Sequence, residues 1–262
     1  MAFDLDRFAA DSTPVRWDDL DLEEFRRQPL DAATLRSLRY MCEVEYHTSC
    51  FLRDLLVTPS SREETPGTFM TMWNREEFWH GEAIAAVLGR HDITVDYDEL
   101  KAQRTKLGWT EALGPLKQSV LSNLAGTDFV AVHMTWGAAN ELSAVAAYRR
   151  MAAMSDHPVL SPLLRRIGQQ ETRHVAFYTT QARERLGASS MARSIVRQVL
   201  GRVWRPVGST IMPESEVRHV MGHLFRGHAA ELDRLDRSIA RLPGLDGMTV
   251  FHTAFARLGV QV

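Results

Sequence analysis

Gly168-Gln169-Gln170-Glu171-Thr172-Arg173-His174-Val175-Ala176-Phe177-Tyr178 is the stretch whose reading decides the fold. An earlier stretch matches it in kind: Trp73-Asn74-Arg75-Glu76-Glu77-Phe78-Trp79-His80-Gly81-Glu82. In each, a Glu stands three residues before a His inside an otherwise apolar helical pattern. Residues i and i+3 share a helix face. Glu77 with His80, and Glu171 with His174, can therefore each present a carboxylate and an imidazole to one point. One such pair arises easily by chance on a charged helix; two, each on a core stripe, call for a common cause.

Around these stretches the apolar period is helical. Asp31 is placed to cap a helix running to about Val57, along which Leu35, Leu38, Cys42, Glu45, Ser49, Leu52 and Leu56 recur at intervals of three and four. Glu45 falls on that stripe. Glu43 falls with Arg36, Tyr40, His47 and Asp54 on a mostly polar face, which makes Glu45 the preferred functional acid and Glu43 its alternate. A turn-rich loop follows, Thr58 to Pro66. The next helix is expected from about Pro66 to Leu88, with Trp73, Glu77, His80, Ile84 and Val87 in line. Residues 89–107 read as a connection with room for a short helix, and Trp109 to Leu124 as a helix broken near Gly114-Pro115 and at Gly126.

A third core helix is expected from about Asp128 to Met154, with Val130, Met134, Gly137, Glu141, Ala144, Tyr148 and Met151 in line; Asp156-His157-Pro158 ends it. A fourth runs from about Pro162 to Leu186 with Leu164, Ile167, Glu171, His174 and Tyr178 aligned. Before residue 31 the sequence suggests one short helix around Trp17 to Phe25. Beyond Gly187, Ser190 to Val203, Pro213 to Leu242 and Met248 to Leu258 are further helices. No strict alternation and no Asn-Gly hairpin competes anywhere. The expected class is all-α and the domain single: a core bundle over about 31–186 with added C-terminal helices over about 187–262.

Composition narrows the functional classes. With 262 residues, 45% hydrophobic and 24% charged, the chain has ample apolar content for a sizeable core. A net charge of -2 gives no global attraction to nucleic acid. Cys42 and Cys50, if on one helix, stand about 12 Å apart along its axis, too far for a disulfide. The start, Met-Ala-Phe-Asp-Leu-Asp-Arg, lacks the pattern of a signal peptide, and no apolar run of about 18 residues offers a membrane span. The expectation is a cytoplasmic protein.

An acid on a core stripe is costly unless it is paired or bound to a cation. Here Glu45, Glu77, Glu141 and Glu171 come one from each of four helices, and two of those helices add His80 and His174. One Glu from each of two helices and Glu-x-x-His from each of the other two is the ligand set of a di-iron or di-manganese carboxylate bundle. Four carboxylates largely neutralise two divalent ions and can bridge them, and each His binds one metal terminally. Hard oxygen and borderline nitrogen donors without thiolate suit Fe or Mn better than Zn. Surface salt bridges would explain either pair alone but not all six residues in register.

The wider neighbourhood resembles the soluble acyl-[acyl-carrier-protein] desaturases (fatty acid desaturase type 2) of the ferritin-like di-iron carboxylate superfamily. Trp73 to Glu82 looks like their W-x-x-E-E-x-x-H-G-[DE] segment, and Arg166 to His174 resembles I-A-x-D-E-x-R-H-E. The run from Glu141 through Tyr148-Arg149-Arg150 to Pro158-Val159-Leu160 also fits, so the resemblance covers about residues 30–185. It implies a ferritin-like four-helix bundle with additional helices. It also implies two Fe ions (Mn the alternative) held by Glu45, Glu77, His80, Glu141, Glu171 and His174, which are at once metal ligands and catalytic residues. The implied activity is an O2-dependent oxidoreductase that desaturates an acyl chain carried on acyl carrier protein. Electrons would come from an external ferredoxin or reductase, and the protein would be a homodimer. Gln170 stands where the family usually has Asp, and Val175 where it often has Glu. These departures keep open a di-iron oxygenase that hydroxylates or N-oxygenates another small or carrier-bound substrate, and more remotely a ferritin-like handler of iron or peroxide.

Other residues carry two readings each. Glu76 leaves the inward line and is assigned to the metal's surroundings or to solvent. Arg173 either pairs with a ligand carboxylate or is a surface charge. Tyr148 and Tyr178 are redox tyrosines or core. Met70, Met72, Met134, Met151, Met154 and Trp136 line an apolar tunnel or simply fill the core. Gly137 and Ala138 leave room beside Glu141 for oxygen or substrate. The Arg-rich stretch Arg193 to Arg205 docks an acidic carrier or forms a solvated face. His219, His223 and His228 lack a convincing acid partner and are set aside as a metal cluster.

Overall fold

The structure is a computed structural model that describes residues 3–96, 126 and 128–262. The connection and helix expected over 97–125 lie outside the described residues. Among those described, every regular element is helical and no strand occurs. In chain order the helices are α1 (Leu5–Asp11), α2 (Glu24–Arg27), α3 (Ala32–Leu55), a 3-10 turn Pro59–Arg62, α4 (Glu64–Gly89), α5 (Asp128–Ser155), α6 (Leu160–Ala188), α7 (Ser190–Arg202), α8 (Glu214–Phe225), α9 (Ala229–Ala240) and α10 (Val250–Arg257). No described helix is long and apolar enough to cross a membrane. Both cysteines are free thiols.

The chain forms two compact units. Among the described residues, one comprises 4–96 and 151–167, the other 3, 126, 128–150 and 168–262. The first is built on α3 packed along α4. Asp31 starts α3 as its sequence suggests: its Oδ1 accepts from Ala33 N and Thr34 N, both at 2.9 Å. Leu38 and Cys42 face its core, which Phe69, Met70, Ile84 and Leu88 of α4 share. α1 also belongs here. Its N-cap is Asp4, whose side chain accepts from Arg7 N, and the Phe8 ring packs tilted against Phe69 at 5.1 Å. The sequence reading missed α1 and placed a helix too early, over a segment where only Glu24–Arg27 is helical.

The second unit holds most of α5 and α6, with α7–α10 beside them. α5 is braced from the C-terminal helices: Trp204 Nε1–H donates to Asn140 at 3.0 Å, and Arg150 Nε–H donates to the Leu224 carbonyl at 3.0 Å. α9 and α10 pack together, and Asp236 of α9 accepts from Phe251 N at 2.8 Å, capping α10 from outside it. The single helix expected over Pro213–Leu242 is two, because the chain turns at Arg226-Gly227-His228 with Gly227 at φ 76°, a left-handed conformation that glycine adopts without cost.

Candidate metal centre

In the unit built on α3 and α4, the structure brings Glu45, Glu77 and His80 together. One donor atom from each lies within 4.8 Å of the others, and all three are buried. Glu77 and His80 sit one turn apart on α4, with His80 Nδ1 3.3 Å from Glu77 Oε2. α3 delivers Glu45 beside them. Glu43 holds Arg39 at 2.8 Å across one turn and belongs to neither described donor group. The reason given for preferring Glu45 needs correction: Tyr40, Glu43 and His47 are themselves buried, so α3 is enclosed over a wider arc than its polar stripe implies.

The other unit repeats the arrangement with Glu141 from α5 and Glu171 and His174 from α6. Their donor atoms likewise lie within 4.8 Å of one another. His174 Nδ1 is 3.0 Å from Glu171 Oε2 and 3.8 Å from Glu141 Oε2. Glu171 and His174 are wholly buried and Glu141 is 5% exposed. In both triads it is Nδ1 that turns to the carboxylate one turn earlier on the same helix.

These groups fit divalent ions. Nitrogen and oxygen donors each about 2.1 Å from a common ion are at most about 4.2 Å apart, so each triad needs only small side-chain adjustment to close on one. Two carboxylates offset an ion's double charge, which answers the desolvation cost of burying them. Cys42 does not join the donors. Its thiol donates to the Gly81 carbonyl at 3.4 Å. Burial first, then the charges of Glu45, Glu43 and Glu82, push its pKa above the usual thiol range.

A feature the sequence reading missed lies beside each triad. Gly81 follows His80, and the Tyr46 ring fills the place its Cβ would take, 2.7 Å from the nearest ring carbon. Gly137 lies one turn before Glu141, and the Tyr178 ring crosses it, with ring carbons 2.3, 2.4 and 2.8 Å from where a Cβ would stand. The space at Gly137, expected to admit oxygen or substrate, is occupied by Tyr178. Tyr46, next to Glu45, donates its hydroxyl to Glu82 at 2.5 Å; burial and that bond both raise its pKa. Nothing in either sequence window shows which ring reaches which glycine.

Glu76 is fully buried, so its solvent assignment is wrong. His133, not singled out from sequence, is 4% exposed, sits edge-on to Tyr178 at 6.0 Å and is pushed down to about 3 by burial and the positive charge of Arg185. Tyr148, Met70, Met134 and Met151 are core residues, while Met154 is 40% exposed and lines nothing buried. Arg193 and Arg197 are spent inside the unit, donating to the carbonyls of Leu186 and Gly244 at 2.7 and 2.9 Å. The rings of His219 and His223 lie 5.8 Å apart, but neither they nor His228 belongs to a described donor group.

No protein-family model matches this chain, and no curated protein matches it at a significant level.

Proposed function

We propose that the chain is a ferritin-like di-iron oxidoreductase, with iron held by Glu45, Glu77, His80, Glu141, Glu171 and His174, and manganese the alternative metal. The reading rests on one observation: a buried Glu plus a buried Glu-x-x-His occurs twice, once in each compact unit. The sequence resemblance to soluble acyl-carrier-protein desaturases then selects the reaction: removal of two hydrogens from an acyl chain on acyl carrier protein, with electrons from an external ferredoxin or reductase and the chain acting as a homodimer.

When bound, the two metal ions would supply O2 reduction and the oxidising power to remove hydrogen from an unactivated carbon. The rest falls to the chain's own side chains. Each triad presents two carboxylates and one imidazole, leaving coordination positions open. Glu77 and Glu171, each one turn before its His, hold the two imidazoles by contacts to Nδ1. The Tyr46 and Tyr178 rings, seated on Gly81 and Gly137, keep bulk water from the sides they cover.

Three measurements test this together. Anaerobic loading with Fe2+ is expected to give two ions per chain, and Mössbauer spectra after oxidation are expected to show a spin-coupled pair. Two magnetically isolated ions would refute the dinuclear reading. Incubation with a saturated acyl carrier protein, reduced ferredoxin and O2 is expected to yield product lighter by two hydrogens. Gain of one oxygen would instead identify the oxygenase that Gln170, half-buried where the family has Asp, keeps in view. Iron uptake without product, in a hollow assembly, would mark a storage protein.

A further inference from the structure

Two histidines outside the candidate metal centre clamp the segment that leads into α3. His157, in the turn between α5 and α6, is 6% exposed. Its Nδ1 accepts from Val159 N at 3.1 Å and Leu160 N at 3.2 Å, capping the first turn of α6, so Nε2 carries the proton and donates to the Gln28 carbonyl at 3.0 Å. His91, just past α4, has the opposite tautomer. Its Nδ1–H donates to the Val87 carbonyl at 3.2 Å, and Nε2 accepts from Leu30 N at 3.1 Å. Phe25 of α2 lies between them, stacked on His157 at 4.5 Å and edge-on to His91 at 5.4 Å.

An imidazolium carries N–H on both nitrogens and accepts nothing. A second proton on His157 would point at two N–H groups, and one on His91 at the Leu30 N–H. Both rings can hold the segment only as neutral imidazoles. We infer that His91 and His157 form an acid-released latch, which docks Phe25 to Leu30 at neutral pH and frees that segment when both rings protonate.

The surrounding charges are few. Glu24 faces His157 from α2 but is engaged by Arg27 at 2.6 Å; the exposed Asp156 belongs to the same turn as His157, and the Arg90–Glu23 ion pair at 2.7 Å flanks His91. Burial lowers the pKa of His157, with the bond to Gln28 and the charge of Glu24 opposing and His91 adding to the fall. A His157 ring that stays neutral when docked and protonates freely when released favours release by up to tenfold per pH unit below about 6.5. The latch acts next to Asp31, the cap of α3, and needs no metal.

Amide hydrogen exchange on the full chain at pH 7.5 and 5.0, corrected for intrinsic rates, tests it. Protection over residues 22–32 is expected to fall about tenfold more than protection over residues 66–74 of α4. In His91→Gln/His157→Asn, whose amides accept at either pH, that excess loss should vanish, and each single variant should lose part of it. Equal protection of residues 22–32 at both pH values in the wild-type chain would overturn the latch. So would an undiminished acid response in the double variant.

Discussion

Gly137→Ala probes the packing beside Glu141 most sharply. The new methyl would stand 2.3, 2.4 and 2.8 Å from three ring atoms of Tyr178, where carbon contacts settle at about 3.5–4.0 Å. The ring would have to retreat by more than about 1 Å. Tyr178 is 1% exposed and Gly137 belongs to a long helix, so neither moves freely. Overpacking of this kind costs about 1–3 kcal/mol, and a clash this deep belongs at about 3. Alanine recovers about 1 kcal/mol through helix propensity. The net is about 2 kcal/mol, or a fall in Tm of about 4–8 °C for a chain of this size. Thermal melts followed by circular dichroism measure it. The decisive comparison is made in a Tyr178→Ala background, where the ring is gone and only the propensity gain remains. There Gly137→Ala should raise Tm. The same loss in both backgrounds, or none in the wild-type chain, would refute the argument.

Three further outcomes are expected. Glu171→Ala removes a wholly buried donor and should cut bound iron from two ions toward one per chain by metal analysis; full occupancy with normal turnover would contradict its role as a ligand. His133 is pushed down to about 3 in the folded chain, whereas unfolded it titrates near 6.5. The unfolded state therefore binds the extra proton first, and stability falls as pH drops below about 6.5, by about 2 kcal/mol at pH 5. In His133→Gln, melts between pH 7.5 and 5 should lose that share of the slope. Asp31→Ala strips two backbone N–H groups of α3 of their cap, which costs about 1 kcal/mol and should lower Tm by about 2–4 °C.

The buried Glu and His groups that could hold a metal ion were legible because helix period and residue spacing coincide: Glu three before His on an apolar stripe sets both residue type and direction. The choice of Glu45 over Glu43 rested on the same period and agrees with the donor groups, although the polar face carrying Tyr40, Glu43 and His47 is itself buried. Elements were lost where the signal was short. α1 has seven residues and one buried aromatic, and Gly227 interrupts an amphipathic pattern that continues on both sides. The seating of Tyr46 on Gly81 and Tyr178 on Gly137 depends on the register between two successive helices, which neither helix records alone. The same holds for His91 and His157, joined through Phe25 across more than half the chain.

The bonds from Trp204 to Asn140 and from Arg150 to Leu224 bear on how this protein can be cut down. A chain trimmed at Ala188 would keep all six residues proposed as donors. It would also strip α5 of both anchors, one of them on the residue preceding Glu141. On the proposed reading such a fragment would hold metal more loosely than the intact chain, the helices beyond Ala188 acting as a splint for Glu141.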